Sequence, residues 1–238
     1  MKRLGVNIDH IATVRNARGE NHPSILKAAI LAMKYGASSI TIHLREDRRH
    51  IKDADLKDLK NNRKIPINLE MAATNEMLKI ALKIKPNFVC IVPEKRKEIT
   101  TEGGLKFNKN NKNLFHIIKK LNKAKIRTSL FINPNIKDIK NSSFIGTKCI
   151  ELHTGIISNK IKKKNKFQQE LKNIKKCSKF AKSLGLEVHA GHGMDFKTAK
   201  ILCKINEIKE FNIGHFIIGE SISIGLKNVI KRVKNSIK

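Results

Sequence analysis

Eight short runs rich in Val, Ile, Leu and Phe, separated by longer segments of helical period, constrain this chain more than any other feature. The runs are Leu4–Asp9, Ser39–Leu44, Ile67–Met71, Phe88–Val92, Thr128–Ile132, Cys149–Thr154, Glu187–Gly191 and Glu210–Gly214. Each has the length of a strand, and the intervening segments repeat apolar residues every three or four positions. In Pro23–Tyr35, residues Ile25, Ala28, Ala29, Ala32 and Met33 fall on one face, and Gly36 closes the segment. Thr74–Lys85 is stopped by Pro86, and Lys166–Leu184 by Gly185. No polar linker divides the series. Eight strands alternating with helices over 238 residues predict an α/β chain, residues 1–238 forming a single (β/α)8 TIM barrel with extra short helices. A doubly wound open sheet is the alternative, but it calls for a Gly-rich turn after the first strand, and Ile8-Asp9-His10 is no such turn.

Composition excludes several classes. The start, Met-Lys-Arg-Leu-Gly-Val-Asn-Ile-Asp, is too short and polar for a secretory signal, and no run approaches the roughly 20 apolar residues needed to span a bilayer. A cytoplasmic protein with reduced thiols is expected, because Cys90, Cys149, Cys177 and Cys203 show no paired spacing. The net charge of +30 suggests nucleic acid at first sight. Its distribution argues otherwise. Lysine supplies 40 of the 50 positive charges and is scattered over nearly every helical segment, and one Tyr with no Trp leaves few platforms for stacking bases. Arginine is clustered instead: Arg15, Arg18, Arg45, Arg48 and Arg49 lie together near the start, where guanidinium forks suit phosphate or carboxylate. The Lys/Asn-rich stretches Lys106–Asn113 and Ser158–Lys166 read as exposed loops or helix starts.

The strand ends carry the chemistry. Asn7, Asp9 and His10 end the first run, His43 and Arg45 the second, and Asn68 and Glu70 the third; Glu151 and His153, His189 and His192, and Asn212 and His215 end the last three. In a (β/α)8 barrel the active site is built at that C-terminal mouth. The loop from His43 to His50 offers two imidazoles and up to three guanidiniums, suited to a phosphorylated carbonyl compound. Glu70 lies among apolar neighbours, where a carboxyl gains the raised pKa of a general base. Gly191, Gly193 and Gly214 would let backbone N–H groups approach a phosphate at the ends of the last two strands. A zinc site from His153, His189 and His192 is disfavoured, since nothing resembles HExxH and no Cys is nearby. Pro93–Gly104 is long for a barrel loop and could form a lid hinged at Gly103-Gly104.

Together these motifs resemble the pyridoxine 5'-phosphate synthase family: Gly5–Gly19, His43–His50, Asn68–Met71, Val92–Arg96, Thr100–Gly104, Glu151–Gly155, Ala190–Gly193 and Asn212–His215 occur in its order. One departure is His189, where many relatives carry Asn. The resemblance implies condensation of 3-amino-2-oxopropyl phosphate with 1-deoxy-D-xylulose 5-phosphate, small phosphorylated substrates, without metal or organic cofactor. It implies that Asn7, Arg18, Gly193, Gly214 and His215 hold the first substrate, and that Asp9, His10, Arg45, His50 and Thr100 hold the second. His43 and Glu70 match the family's bases, His192 its proton donor, and Glu151 a carboxylate that stabilises imine-like cations. It also implies a homo-oligomer, an octamer. The rival enzyme is another phosphosugar barrel, an isomerase or aldolase; a Schiff-base aldolase would place Lys at a strand end, and the eight runs contain none.

Overall fold

The computed structural model describes residues 1–62, 64–94, 103–107 and 112–238. These form eight strands: β1 (Arg3–Asn7), β2 (Ser39–His43), β3 (Ile67–Met71), β4 (Phe88–Ile91), β5 (Arg127–Ile132), β6 (Cys149–His153), β7 (Glu187–Gly191) and β8 (Ile208–Ile213). All neighbours are parallel, and β8 pairs with β1 to close the barrel. Around it run α1 (Asp9–Arg18), α2 (Ile25–Lys34), α3 (Asp53–Asn61), α4 (Asn75–Ile84), α5 (Lys112–Lys123), α6 (Ile136–Ile145), α7 (Gly155–Lys162), α8 (Gln168–Ser183), α9 (Phe196–Leu202), α10 (His215–Ile224) and α11 (Leu226–Ser236). The additional helices expected from the sequence are the second members after β1, β6 and β8.

Period-2 alternation decides what fills each side of the barrel wall. Outward residues, such as Leu4 and Val6, Ile40 and Ile42, Leu69 and Met71, and Ile150 and Leu152, join one apolar cluster with the inner faces of the helices. Each fully buried aliphatic there contributes about 1.5–3 kcal/mol. The inward set is polar instead. Asn68 Nδ2 donates to Thr41 Oγ1 (3.2 Å), Thr41 Oγ1 donates to Asn212 Oδ1 (3.5 Å), and Asn212 Nδ2 donates to Glu151 Oε2 (2.7 Å). Gly5 makes this chain possible, because a Cβ there would stand 1.9 Å from Asn212 Oδ1.

The strand starts are tied by ion pairs. Arg3 joins Glu187 and Glu210, Arg127 lies 3.0 Å from Glu187, and His189 Nε2 lies 2.8 Å from the same carboxylate. His189 therefore belongs to this lower layer and not to the mouth, a correction to its reading as a strand-end residue. Although it sits on β7, its ring reaches the carboxylates of Glu187 and Glu210 at the strand starts. Two smaller expectations also change. Ser158–Lys162 lies within α7, with Ser158 buried, so only Lys163–Lys166 is loop. And β8 begins two residues earlier than expected, taking in Lys209, which is exposed. The expected helices at residues 23–35, 74–85 and 166–184 appear as α2, α4 and α8, with Ser24 and Thr74 as side-chain N-caps of the first two. No helix among the described residues is long and apolar enough to cross a membrane.

Candidate active site

A cavity of about 340 Å³ opens at the C-terminal mouth. Its wall includes Asn7, Asp9, His10, His43, Arg45, His50, Glu70, Glu151, His192, Gly193, Gly214 and His215. These come from β1, β2, β3, β6, β7 and β8 and the loops that follow, so the closed topology brings together residues far apart in sequence.

On the β1–β3 side, Asp9 is held from two directions: the His43 backbone N–H donates to Oδ1 (2.9 Å) and Asn7 Nδ2 donates to Oδ2 (3.0 Å). Burial raises the Asp9 pKa, opposed by the charge of His43 and by these hydrogen bonds. His43 Nδ1 lies 3.8 Å from Glu70 Oε2, and its Nε2 lies 2.7 Å from Glu94 Oε1. Neither atom of the latter contact is in hydrogen-bonding geometry, so His43 stands between two carboxylates in a close but misaligned arrangement. The two carboxylates behave oppositely. Burial pushes Glu70 well above the usual range, and the nearby charges of Glu151 and Asp9 push it further, with Arg45 only partly opposing. Burial would also raise Glu94, but its contact with His43, the Glu46 N–H and the charge of Arg45 bring it below its ordinary value. Glu151 is likewise raised, chiefly by burial, against the hydrogen bond from Asn212.

On the β6–β8 side, His192 and Gly193 both adopt the left-handed conformation (φ 78° and 77°), a rare setting for His that turns its ring into the mouth. Its ring lies 4.9 Å from that of His153, which packs edge-on against Phe131 at 5.4 Å. Burial and the neighbouring His192 lower the His153 pKa to about 4, and burial with the charge of Lys162 lowers that of His192. His10 and His215 meet edge to face at 5.0 Å. Burial and their mutual repulsion lower His10, while burial and Arg45 lower His50. Asp9, Glu70 and Glu151 are thus inclined to keep a proton, beside His10, His50 and His192, which are inclined to lose one, a composition for moving protons. Gly191 and Gly214 admit the packing: a Cβ at Gly191 would lie 1.7 Å from Glu151 Oε1, and one at Gly214 would lie 2.8 Å from Asn7 Cβ.

Some expected residues are not in the wall. Arg18 ends α1 with its side chain 78% exposed, 3.7 Å from Glu20. Thr100 and the central part of the proposed lid lie outside the described residues. Of the clustered arginines, only Arg45 lines the cavity. Arg15 makes a bidentate pair with Asp55 (2.5 and 2.9 Å), and with Asn16 it ties α1 to the backbone carbonyl of His50. Arg48 pairs with Asp53 and Glu76, and Arg49 with Asp47. They shape the loop that presents Arg45 and His50. Conversely Lys162, Phe131 and Met194 line the cavity without having been singled out, and Glu94 touches His43. Donor atoms of Asp9, His43 and Glu70 lie within 4.8 Å of one another, as do those of Cys149, Glu187 and His189 at the strand starts, so either trio could approach a metal ion. The trio His153, His189 and His192 is not assembled, since His189 belongs to the lower layer.

The barrel and the proton-handling mouth define a (β/α)8-barrel enzyme. Solved structures agree on the fold: 3-hexulose-6-phosphate synthase superposes with a TM-score of 0.67 at 12% identity over the whole of both chains. Phosphoribosylanthranilate isomerase from Thermotoga maritima gives 0.62 at 10% identity, covering 100% of this chain and 98% of that one. At such identities only the architecture is shared. Sequence comparison goes further: residues 4–238 match the family described as pyridoxal phosphate biosynthesis protein PdxJ. The pyridoxine 5'-phosphate synthase of Pelagibacter ubique (strain HTCC1062) is 60% identical over 230 residues, 97% of this chain and 96% of that protein. The protein of the same name from Zymomonas mobilis is 52% identical over 232 residues, 98% of this chain and 90% of its own length. The chain belongs to the PdxJ family.

Proposed function

We propose that the chain is a pyridoxine 5'-phosphate synthase, condensing 3-amino-2-oxopropyl phosphate with 1-deoxy-D-xylulose 5-phosphate to pyridoxine 5'-phosphate, inorganic phosphate and water. The observation that carries the reading is the set of buried carboxyls and imidazoles gathered in one mouth whose proton affinities are displaced in opposite directions. Joining an amine to a ketone and expelling water needs a proton removed, delivered and removed again, and these groups suit that sequence. Glu70, raised by burial and assisted by His43, takes the protons. His192 delivers them from the opposite wall, and Glu151 steadies the cationic imine-like state. Membership of the PdxJ family supports the reaction as a whole.

Asn7, Gly193, Gly214 and His215, joined by Arg18, hold the amino-ketone phosphate. The β7–β8 end of a barrel is a common phosphate site, and the N-terminus of α10 begins there. Asp9, His10, Arg45, His50 and Thr100 hold the deoxyxylulose phosphate. The reaction proceeds without metal or organic cofactor, in the cytoplasm, in a homo-oligomer for which the family octamer is the expectation. Nucleic acid and membranes are not partners in this reading.

The test is release of inorganic phosphate by purified protein with both substrates, with each omitted in turn, and with EDTA present. Release that needs both and ignores EDTA supports the reading; release from one substrate alone contradicts it.

A further inference from the structure

Two phosphorylated substrates bring two dianions into one cavity, and each calls for a cation. Among the described residues of the wall, two side chains carry a permanent positive charge, Arg45 and Lys162. Arg45 follows β2, whereas Lys162 ends α7, the helix that follows β6. In a closed ring of eight strands β2 and β6 stand opposite each other, so the two charges face the cavity from opposite sides. Lys162 borders the part of the wall that holds His192 and Gly193, and its charge is felt at the His192 ring. Two residues away, Lys160 is tied to Glu170, but no carboxylate pairs with Lys162 among the described residues. It is an unneutralised ammonium on the same cavity wall as His192 and Gly193.

We infer that Lys162 is a substrate-binding residue, supplying from within the cavity wall a cation for the phosphate of 3-amino-2-oxopropyl phosphate alongside Arg18, while Arg45 serves the second substrate. This rests on the division of substrates proposed above. The ammonium is a compact point charge on a flexible stem, so it can follow the phosphate as the amine moves toward the ketone. Lys162 is solvent-exposed and ends its helix, so its replacement leaves the core untouched.

The experiment compares wild type, K162M and K162R in steady-state kinetics with each substrate varied separately, together with melting temperatures. In K162M the KM for 3-amino-2-oxopropyl phosphate rises about tenfold, the scale of one charge-assisted contact. The KM for 1-deoxy-D-xylulose 5-phosphate and the melting temperature stay at wild-type values, and K162R recovers most of the loss. Removing the charge also moves the His192 limb of the pH–rate profile to higher pH. An unchanged amino-ketone KM overturns the inference, and so does an equal rise in both KM values. Calorimetric titration with inorganic phosphate provides an arm free of the proposed reaction: K162M binds about tenfold more weakly than wild type, and equal affinity overturns the inference. Were wild type inactive on the substrate pair, the proposed reaction would fail while this titration still decided the role of Lys162.

Discussion

Glu70→Gln separates proton transfer from everything else the pocket does. Gln keeps the volume and one carbonyl oxygen but cannot accept the proton that Glu70, mostly buried and 3.8 Å from His43, is placed to take. A positioned base is worth about 10²–10⁴-fold. Asp9 and Glu151 remain close enough to raise Glu70 electrostatically and can serve as poor surrogates, which puts the expectation at the low end. Turnover should fall about 100-fold, equivalent to about 2.7 kcal/mol of barrier, with both KM values within about twofold of wild type. Stability should move the other way. The folded pKa lies above the unfolded value of about 4.3, so the folded chain retains a proton that the unfolded chain releases, and wild type loses stability as pH rises from that value through the folded one. Gln has no such proton. The variant should therefore match or exceed wild type in urea unfolding at pH 8 and lose its advantage at pH 4. Phosphate release within about threefold of wild type would refute the assignment of Glu70 as base; slow turnover accompanied by lower stability at pH 8 would refute the electrostatic account of its burial.

Other expectations test other layers. Gly191→Ala puts a Cβ onto Glu151, so Glu151 must move and its hydrogen bond from Asn212 must break; turnover should drop at least about tenfold and urea-unfolding stability by about 1–3 kcal/mol. In the lower layer, the hydrogen bond from His189 holds Glu187 down to about 2, with Arg3 assisting against partial burial. Its stabilisation is full above the unfolded value of about 4.3 and is lost as pH falls toward 2, so Glu187→Gln should flatten the acid limb of a thermal-melt series between those values. Leu69→Ala, emptying a fully buried site between barrel and helices, should cost about 2–5 kcal/mol in urea unfolding and leave the KM values unchanged.

Strand and helix positions were legible because alternation and helical period are local: β3 and β7 match their sequence boundaries, and β2, β4 and β6 match within a residue. Most of the mouth was legible too, since a residue at the end of a barrel strand has one place to go. His189 escaped because alternation says which residues point inward but not at what height along the barrel; its neighbours Glu187 and Glu210, two carboxylates at the strand starts, draw the imidazole downward. Arg15 escaped because the sequence cannot distinguish a guanidinium for a ligand from one whose partner, Asp55, lies 40 residues away. Lys162 was hidden by its abundance, one lysine among 40, and only the closure of the barrel sets it opposite Arg45.

One ring-forming reaction in this mouth is the central claim, and its product tests that claim most directly. Purified protein given both substrates should yield pyridoxine 5'-phosphate, identified by mass and absorbance, in one-to-one ratio with released phosphate, and Glu70→Gln should slow both together. Phosphate released without that product, or product formed equally fast by Glu70→Gln, would contradict it.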